Sequence, residues 1–401
     1  MQGKTPLVRL DKDHLGGECN LAMPITESLD FNFEASIKDA LREALRERGH
    51  VNILIAGRTG VGKSTLINAI FQGNLATTGQ GRPVTQNTRE IKKEDIPLSI
   101  FDTRGLEMAD FSKTIETLRS FVSERSRDIE PKKHIHIAWI CIVEDLRRVE
   151  SAEEELVKML ADYMPVIAVI TKARQDKSRD SDGELKSFRH TVQEMLPLTK
   201  NVIRVRAILE EDDDGGIKPA MGLRELVDLT MEVVPEGLKR AFTAAQKVDI
   251  ELKKTQSHAI VAGAAASAAG IAAVPVPFSD AVAIVPIQIG MLAGITATFG
   301  LSFNESFLSS LVASVVAGAG GTLAGRAIVS GLLKFIPGVG SIAGGVIAAT
   351  TAAALTMAFG KAYIAVLEML FIRNNGEPPT PEEVVDAFKN QYWQLALRQS
   401  D

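Results

Sequence analysis

The sequence predicts an α/β fold with a mainly parallel sheet and helices on both faces, followed by an all-α region of apolar helices. Over residues 1–257, short apolar runs alternate with amphipathic segments, which is typical of buried strands joined by helices. Residues 258–372 differ, because they contain only six charged side chains but 27 alanines and 15 glycines. Their four longest uncharged runs have 20 to 26 residues, and about 20 apolar residues suffice for a helix to cross a membrane.

The overall composition excludes several classes of protein. The chain has 401 residues and a net charge of −5, so it has no general basic field, and no nucleic-acid partner is expected. Its two cysteines, Cys19 and Cys141, do not provide a disulfide framework or a zinc site. Residues 1–18 have no apolar core of signal-peptide length. The expected location is cytoplasmic and membrane-associated, with integral insertion through residues 258–372 left open.

The chain is predicted to have three parts. They are an N-terminal extension (1–33), an α/β domain (34–235) and a helical domain (236–401) with apolar hairpins (258–372) and a C-terminal amphipathic helix (380–398). The first helix, over 34–49, places Ile37, Leu41 and Leu45 on one stripe. A continuous helix from 236 to about 256 is predicted to carry the chain from the α/β domain into the apolar region.

Apolar and polar runs predict the order of elements in the α/β domain. Strands are expected at 51–56, 88–91, 96–102, 135–143, 166–171 and 201–208, of which the second and third form a hairpin. Helices are expected from residue 64 and over 111–126, 153–163, 183–196 and 221–233. The alternation of strands and helices is the reason to expect a mainly parallel sheet.

The clearest functional signal is the segment AGRTGVGKST, between the first predicted strand and the helix after it. It fits the phosphate-loop pattern G-x-x-x-x-G-K-[ST]. Glycines let the backbone turn and direct successive N–H groups at phosphate oxygens. Lys63 is expected to reach the β- and γ-phosphates, and the Ser64 hydroxyl to bind magnesium. The residues expected around the phosphates are Gly57, Arg58, Thr59, Gly60, Val61, Gly62, Lys63, Ser64 and Thr65.

Two further segments supply candidate residues for the γ-phosphate and the metal. IFDTRG places Asp102 and Gly105 at the end of an apolar strand. There the carboxylate can hold magnesium through water, and the Gly105 N–H can meet the γ-phosphate. GRPVTQNT, between this segment and the phosphate loop, offers Thr85 or Thr88 as a hydroxyl ligand, and Thr85 is favoured. The expected magnesium ligands are therefore Ser64, Thr85 and Asp102.

The segment VITKARQD is the candidate base-binding site, because it follows the next predicted central strand. Thr171 and Lys172 fit a pair in which the lysine stem lies along a purine ring. The carboxylate expected two residues later, where it would read guanine, is replaced by Arg174, and the nearest acid is Asp176. Ala207 is expected to donate its backbone N–H to the base.

Together these residues resemble a GTPase of the translation-factor-related class over about residues 34–235. The form GRTGVGKSTLINAIF is similar to the septin-like and immunity-related GTPases, and less similar to the Era-like ones. The resemblance implies GTP or GDP as the nucleotide, Mg²⁺ as the metal and a homodimer through this domain. Leu106 stands where Ras-like GTPases have the glutamine that orients water, which implies a low intrinsic rate. Dimerisation or switch residues would then complete catalysis, with a catalytic set of Lys63, Thr85, Gln86 and Arg104.

The second half is similar to an uncharacterised helical domain that follows such GTPases in bacteria and is taken to be membrane-associated. The matching residues are Pro275, Pro277, Phe278, Asp280, Pro286, Gln288 and Met291. Pro275 and Pro277 cannot continue a helix, which predicts separate helices over 259–274 and 281–300, with Asp280 capping the second. The resemblance implies membrane lipid as a partner.

Three functions remain open from the sequence. The first is a GTP-hydrolysing switch whose α/β domain controls a membrane-associated helical domain. The second is an assembly module in which GTP locks a dimer or polymer and hydrolysis is incidental. The third is an ATP-dependent enzyme, although the overall pattern favours GTP over ATP.

Overall fold

The structure is a computed structural model, which describes residues 32–78, 80–85, 88–103, 111–179, 185–211, 215–272, 280–317 and 349–397. Several sequence predictions lie outside the described residues. They are the N-terminal extension up to residue 31, the switch residues Gln86, Arg104, Gly105 and Leu106, and the break at 273–279.

The described residues form a seven-stranded sheet with the order β2-β3-β4-β1-β5-β6-β9. Its strands are β1 (Val51–Ala56), β2 (Gln80–Thr85), β3 (Thr88–Lys92), β4 (Leu98–Thr103), β5 (Ile137–Val143), β6 (Val166–Thr171) and β9 (Asn201–Arg204). Strand β1 pairs in parallel with β4 and β5, and β6 pairs in parallel with β5 and β9. Strand β3 is antiparallel to both β2 and β4. The predicted α/β fold with a mainly parallel sheet is confirmed, with β2 and β3 as the antiparallel part.

Helices cover both faces of this sheet. The strands β1, β4 and β6 are therefore buried along their whole length. The helices of the sheet region (51–234) are α2 (Lys63–Ile70), α3 (Leu75–Thr78), α4 (Phe111–Ser126), α5 (Ser151–Ala161), α6 (Phe188–Met195) and α7 (Leu223–Val233). On one face, Ile115 of α4 and Leu156 of α5 belong to one buried cluster. On the other, Leu66 of α2 and Leu226 of α7 belong to a second cluster. Nonpolar burial on both faces stabilises parallel strands.

The structure adds strands that the sequence pattern did not reveal. Residues Gln80–Thr85, for which the sequence predicts no strand, form the edge strand β2 and pair with β3. The helix predicted over 183–196 begins only at Phe188, because Ser187 accepts the His190 N–H and caps it. Two short hairpins are also present: β7 (Lys177–Arg179) with β8 (Leu185–Ser187), and β10 (Glu210–Glu211) with β11 (Ile217–Lys218). Strands of two or three residues carry too little periodicity to be detected.

The helical region (33–48 and 239–397) contains the remaining described helices. They are α1 (Phe33–Arg48), α8 (Lys239–Ala245), α9 (Ile250–Ala272), α10 (Asp280–Phe299), α11 (Glu305–Ala317), α12 (Ala349–Arg373) and α13 (Pro381–Leu397). Helix α1 packs against α10 and buries Ile37 and Ala44, whereas Leu45 is 41% exposed. Helices α9, α10 and α12 meet at Gly360, where a Cβ would lie 2.5 Å from Val261 and 2.8 Å from Met291.

The predicted continuous helix from 236 to about 256 is wrong. A 3-10 turn at Glu236–Leu238 leads into α8, and the chain leaves helical geometry at Gln246 before α9 begins. The Gln246 side chain bridges the break: its amide nitrogen donates to Asp249 O at 2.9 Å, and its amide oxygen accepts the Asp249 N–H at 2.8 Å. Asp249 then accepts the Leu252 N–H at 3.0 Å, as an N-cap does. These side chains satisfy the backbone groups that the break exposes.

Helix α13 begins as predicted. The Glu383 N–H donates to Thr380 Oγ1 at 3.3 Å, and the Thr380 N–H donates to Glu383 Oε2 at 2.9 Å. This reciprocal pair is a capping box, which fixes where the helix starts. Val384 and Phe388, on the apolar face of this amphipathic helix, are buried.

Among the described residues, one helix is long and apolar enough to cross a membrane by length and composition. It is Ala352–Arg373, with 22 residues and a mean hydropathy of 1.6. Of the most apolar 18-residue stretch of this helix, 53% is buried within the structure. A buried core helix has the same length and composition, so this helix is weak support for a membrane span.

Candidate phosphate-binding site

The predicted phosphate loop follows β1 and ends where α2 begins. Glycines allow its turns, because the backbone φ is +146° at Gly57, +79° at Gly60 and +101° at Gly62. At Gly57 a side chain is also excluded sterically, since a Cβ would lie 2.4 Å from the carbonyl oxygen of Cys141 in β5. Gly62 caps α2 with a left-handed backbone, so the helix starts at Lys63 with its N-terminal amides facing the loop.

The loop is held in a curved form by its own side chains and by neighbouring strands. Lys63 Nζ donates to Gly57 O at 2.7 Å and to Arg58 O at 3.1 Å, which places the ammonium across the loop. Arg58 extends away and pairs with Glu150, at the start of α5, at 2.5 Å. A curved glycine loop with a cation across it, at a helix N-terminus, is an arrangement that binds polyphosphate.

The predicted base-binding pair lies directly beside the phosphate loop. Thr171 is buried at the end of β6 and donates its hydroxyl to Val61 O at 2.6 Å. Lys172 follows with a left-handed φ of +54° and an exposed side chain. Its stem runs along the loop, because a Cβ built on Gly62 would lie 4.0 Å from Lys172 Cε. The structure thus brings Thr171 and Lys172 to the phosphate loop, while their role in binding a base remains a prediction.

The predicted metal ligands come from three elements, namely β4, α2 and β2. Asp102 is buried near the end of β4, and its Oδ2 accepts from Arg89 Nε at 3.2 Å. Its other oxygen, Oδ1, is buried and has no hydrogen-bond partner among the described residues. Ser64 is exposed at the start of α2, and Thr85 is half-buried at the end of β2. An unpaired carboxylate oxygen with hydroxyls is a donor set that suits Mg²⁺, so these residues fit the metal.

Glu144 is a functional candidate that the sequence analysis missed. It lies directly after β5, is buried, and its Oε2 accepts the N–H of Arg174 at 2.5 Å and of Gln175 at 2.9 Å. Its Oε1 accepts from Arg204 Nε at 2.6 Å. Burial alone would raise the pKa of Glu144, but Arg204 and the two N–H groups outweigh it and lower the pKa. The sequence signal was an acid immediately after an apolar strand.

Asp176 is engaged by the polypeptide itself. Its Oδ1 accepts the Arg189 N–H at 3.1 Å, and its Oδ2 accepts from Ser187 Oγ at 2.8 Å. Burial acts to raise the pKa of Asp176, but these bonds and the nearby Arg204 and Arg147 lower it. Its carboxylate therefore joins the loop after β6 to the start of α6.

The C-terminal end of α2 is joined to the helical region. Lys247 N donates to Ile70 O at 2.9 Å, and Gln72 Nε2 donates to Phe299 O at 3.1 Å. The Glu377 carboxylate accepts the Gly73 N–H at 2.7 Å and pairs with Lys247 Nζ at 2.6 Å. We call this set of contacts the α2 junction. One eight-residue helix thus extends from the phosphate loop to the helical region.

A phosphate loop of this kind on a mainly parallel sheet defines a P-loop nucleotide-binding domain. Residues 52–172 match the family described as 50S ribosome-binding GTPase. Residues 239–393 match the family described as domain of unknown function DUF697. The chain therefore carries a P-loop GTPase domain followed by a DUF697 domain, which is helical in the structure.

Curated relatives agree with this assignment. The tRNA modification GTPase MnmE of Pasteurella multocida is 27% identical over 255 residues, which are 58% of this chain and 52% of the relative. The GTPase Era of Neisseria meningitidis is 26% identical over 190 residues, 46% of this chain and 55% of the relative. Cell division control protein 10 of Encephalitozoon cuniculi is 39% identical over 67 residues, 16% of this chain and 19% of the relative. The chain spans about half the length of the first two.

Proposed function

We propose that the protein binds and hydrolyses GTP, and that the nucleotide state controls membrane association of the helical region. The observation that carries this proposal is the position of α2. Its first residue, Lys63, lies across the phosphate loop, and its last residue, Ile70, is bonded to the helical region at the α2 junction. A shift of α2 on loss of the γ-phosphate would therefore act directly on the helical region.

The chemistry proposed for the site uses the residues described above. Loop amides from Gly57 to Thr65, together with Lys63, bind and orient the phosphates and stabilise the charge that develops during hydrolysis. Ser64, Thr85 and Asp102 would hold Mg²⁺, which would further neutralise the charge of the phosphates. Gln86 and Arg104 stay as proposed catalytic residues, and Gly105 as a proposed γ-phosphate contact. With leucine at position 106, we expect slow intrinsic hydrolysis.

Base binding is proposed at the carboxyl ends of β6 and β9. The stem of Lys172 would pack on one face of the purine, since it already runs along the loop at Gly62. The Ala207 N–H, just after β9, would donate to the base. Guanine is the proposed base, because the matched family and the relatives MnmE and Era are all named as GTPases.

Membrane association is proposed for the apolar helices of the helical region, in a protein otherwise located in the cytoplasm. Exposed apolar side chains on α12 support it: Met357 is 37%, Met369 49% and Ile372 60% exposed. On α9, Ile271 is 36% exposed. Transfer of this apolar surface from water to the lipid interface is favourable by about 25 cal/mol per Å² of area buried.

A liposome flotation assay tests the switch. The full chain would be floated with vesicles of phosphatidylethanolamine and phosphatidylglycerol, loaded with GDP or with a non-hydrolysable GTP analogue. We expect the fraction bound to differ between the two states in the wild type, and to be independent of nucleotide in Lys63→Ala. The exposed Lys158 provides the control, since Lys158→Ala should behave as wild type. Absence of binding in both states would reject membrane association.

A second candidate function is GTP-dependent assembly of a homodimer through the sheet region. Exposed apolar residues near the proposed base site favour it. Leu209, directly before β10, is 59% exposed, and Ile217 in β11 is 67% exposed. A second copy of the chain would cover them. Analytical ultracentrifugation with GDP and with the GTP analogue distinguishes the two functions, because a switch that acts as a monomer keeps its mass.

A further inference from the structure

The position expected to recognise guanine, residue 174, has no hydrogen-bond acceptor on its side chain in this chain. Guanine presents the donors N1–H and N2–H₂ on one edge, so its recognition requires an acceptor, and a carboxylate is the strongest one. Position 174 lies two residues after Lys172 and is arginine, whose guanidinium has donors only. Arg174 therefore cannot accept a hydrogen bond from this edge.

The nearest acid in sequence, Asp176, is committed to the fold. Both of its carboxylate oxygens accept hydrogen bonds, from the Arg189 N–H and from Ser187 Oγ. Its Oδ1 also lies 3.6 Å from Arg204 Nε. Turning this carboxylate toward a base would break both of these hydrogen bonds to the start of α6.

A different carboxylate lies next to position 174. Arg174 Nε donates to Glu210 Oε2 at 3.1 Å, and the Arg174 backbone is fixed by Glu144. Glu210 begins the β10–β11 hairpin and is paired in register with Lys218, which defines the position of its backbone. It also lies three residues after Ala207, whose N–H is proposed to face the base.

We propose that Glu210 supplies the carboxylate that recognises guanine, with Arg174 holding it in place. The inference rests on the proposed function, namely that this site binds guanine nucleotides. In it, the Glu210 carboxylate accepts hydrogen bonds from guanine N1–H and N2–H₂, while Arg174 donates to the same carboxylate from the protein side. The acceptor missing from the loop after β6 is thus provided by the hairpin after β9.

Base analogues probe this contact atom by atom. Hypoxanthine lacks the N2 amino group, so the carboxylate would lose one of two hydrogen bonds. Xanthine has a carbonyl oxygen at C2, which would face the carboxylate and repel it. Adenine presents an acceptor at N1. The expected order of affinity is therefore GDP above IDP, with XDP and ADP weakest.

The experiment is calorimetric titration of the full chain with GDP, IDP, XDP and ADP, for wild type, E210Q and E211Q. Glu211 is the matched control, because it is the exposed neighbour on the same hairpin. We expect E210Q to weaken GDP binding by about 10- to 100-fold, the effect of losing charge-assisted hydrogen bonds. An amide can donate to the xanthine C2 oxygen, so E210Q should bind XDP better relative to GDP. E211Q should match the wild type.

A second variant separates a contact from a structural effect. Adding R174D to E210Q restores a carboxylate beside the base, and should recover part of the preference for GDP over XDP. If E210Q binds GDP as tightly as wild type, or weakens all four nucleotides by the same factor, Glu210 does not read the base and the inference is wrong. In either case the proposed function stands, provided that wild type binds GDP and Lys63→Ala does not. Failure of the wild type to bind any guanine nucleotide would overturn both.

Discussion

Buried charges in the sheet region and in the helical region have different partners. In the sheet region, buried Asp102 lies near the end of β4 and buried Glu144 lies directly after β5, at the edge of the sheet where a nucleotide is proposed to bind. In the helical region the fully buried Lys253 instead donates to the carbonyl oxygens of Thr243 at 2.7 Å and Phe299 at 3.1 Å, where α8 and α10 end. The first arrangement lies at the proposed nucleotide site, whereas the second stabilises the packing of helices.

The difference explains what a motif can reveal. A phosphate loop must keep glycines and a lysine at fixed spacing, because its chemistry depends on their backbone and charge. A helix junction has no such fixed pattern, since any donor that reaches the exposed carbonyls will satisfy them. Substitutions in the phosphate loop should therefore weaken ligand binding, whereas substitutions at the helix junction should lower the stability of the fold.

The largest effect is expected at Gly57. In Gly57→Ala the new Cβ would meet the Cys141 carbonyl oxygen at 2.4 Å, so the loop must shift. We expect nucleotide affinity to fall by about 100-fold or more, because the amides would no longer converge on the phosphates. Calorimetric titration with GDP measures this.

Gly60→Ala is the matched control in the same loop. A Cβ there has no neighbour within 4 Å, so the substitution adds only the cost of the left-handed backbone, about 1–2 kcal/mol. Equal losses of GDP affinity in the two variants would contradict the steric role assigned to Gly57.

The second effect is expected at Lys253, in the helical region. Lys253→Met would leave the carbonyl oxygens of Thr243, Ala244 and Phe299 without this donor, and should lower the free energy of unfolding by about 2–4 kcal/mol. Burial lowers the pKa of Lys253 well below its usual value, so its contribution comes mainly from these hydrogen bonds. Urea unfolding with and without GDP is the measurement, and GDP affinity should be unchanged.

Lys254 is the control for this variant. It forms ion pairs with Glu251 and Glu368 on the surface, so Lys254→Met should cost less than about 1 kcal/mol. If Lys253→Met is as stable as Lys254→Met, the buried lysine is not what holds the ends of α8 and α10 together.

The α2 junction connects the two regions, and Glu377 tests whether it transmits a signal. Glu377→Gln removes the charge that pairs with Lys247 while keeping an oxygen for the Gly73 N–H, and should cost about 1–2 kcal/mol. Hydrogen exchange of α9 and α10 amides would be compared with and without GDP. We expect the nucleotide-dependent difference to shrink in Glu377→Gln and to persist in Glu382→Gln, an exposed control on α13. A difference of wild-type size in Glu377→Gln would exclude this route.

The sequence predicted most of the sheet region and the phosphate loop of the candidate site. Strand β1, the phosphate loop and Lys172 were identified because their patterns are local, and the structure brings them together. Glu144 and the Arg174–Glu210 pair were missed, since they depend on contacts between residues 30 and 36 positions apart. The break at Gln246 was missed for a similar reason: the segment RAFTAAQKVDIELKK has helical periodicity throughout, and only the side-chain bonds of Gln246 and Asp249 show where it stops.

The smallest effect at neutral pH is expected at His50, whose ring nitrogen lies 3.0 Å from Ser99 Oγ beside β4. Burial lowers the pKa of His50 from 6.5 to about 4, so the folded protein keeps the ring neutral. Between these two values the unfolded chain binds more protons, and stability must fall as the pH falls. Replacing His50 by asparagine should change the free energy of unfolding by less than about 1 kcal/mol at pH 7.

Acidification should lower the stability of the wild type more than that of His50→Asn. From pH 6.5 to about 4 the wild type should lose up to about 3 kcal/mol more than His50→Asn, as the pKa difference requires. Urea unfolding at a series of pH values measures both slopes. The variant keeps part of the slope, because burial also lowers the pKa of His136, which accepts the Asn52 N–H and sits in the sheet region as well. Parallel slopes in the two proteins would show that His50 is free to take up a proton in the folded state, and that this edge of the sheet is more open to water than its packing indicates.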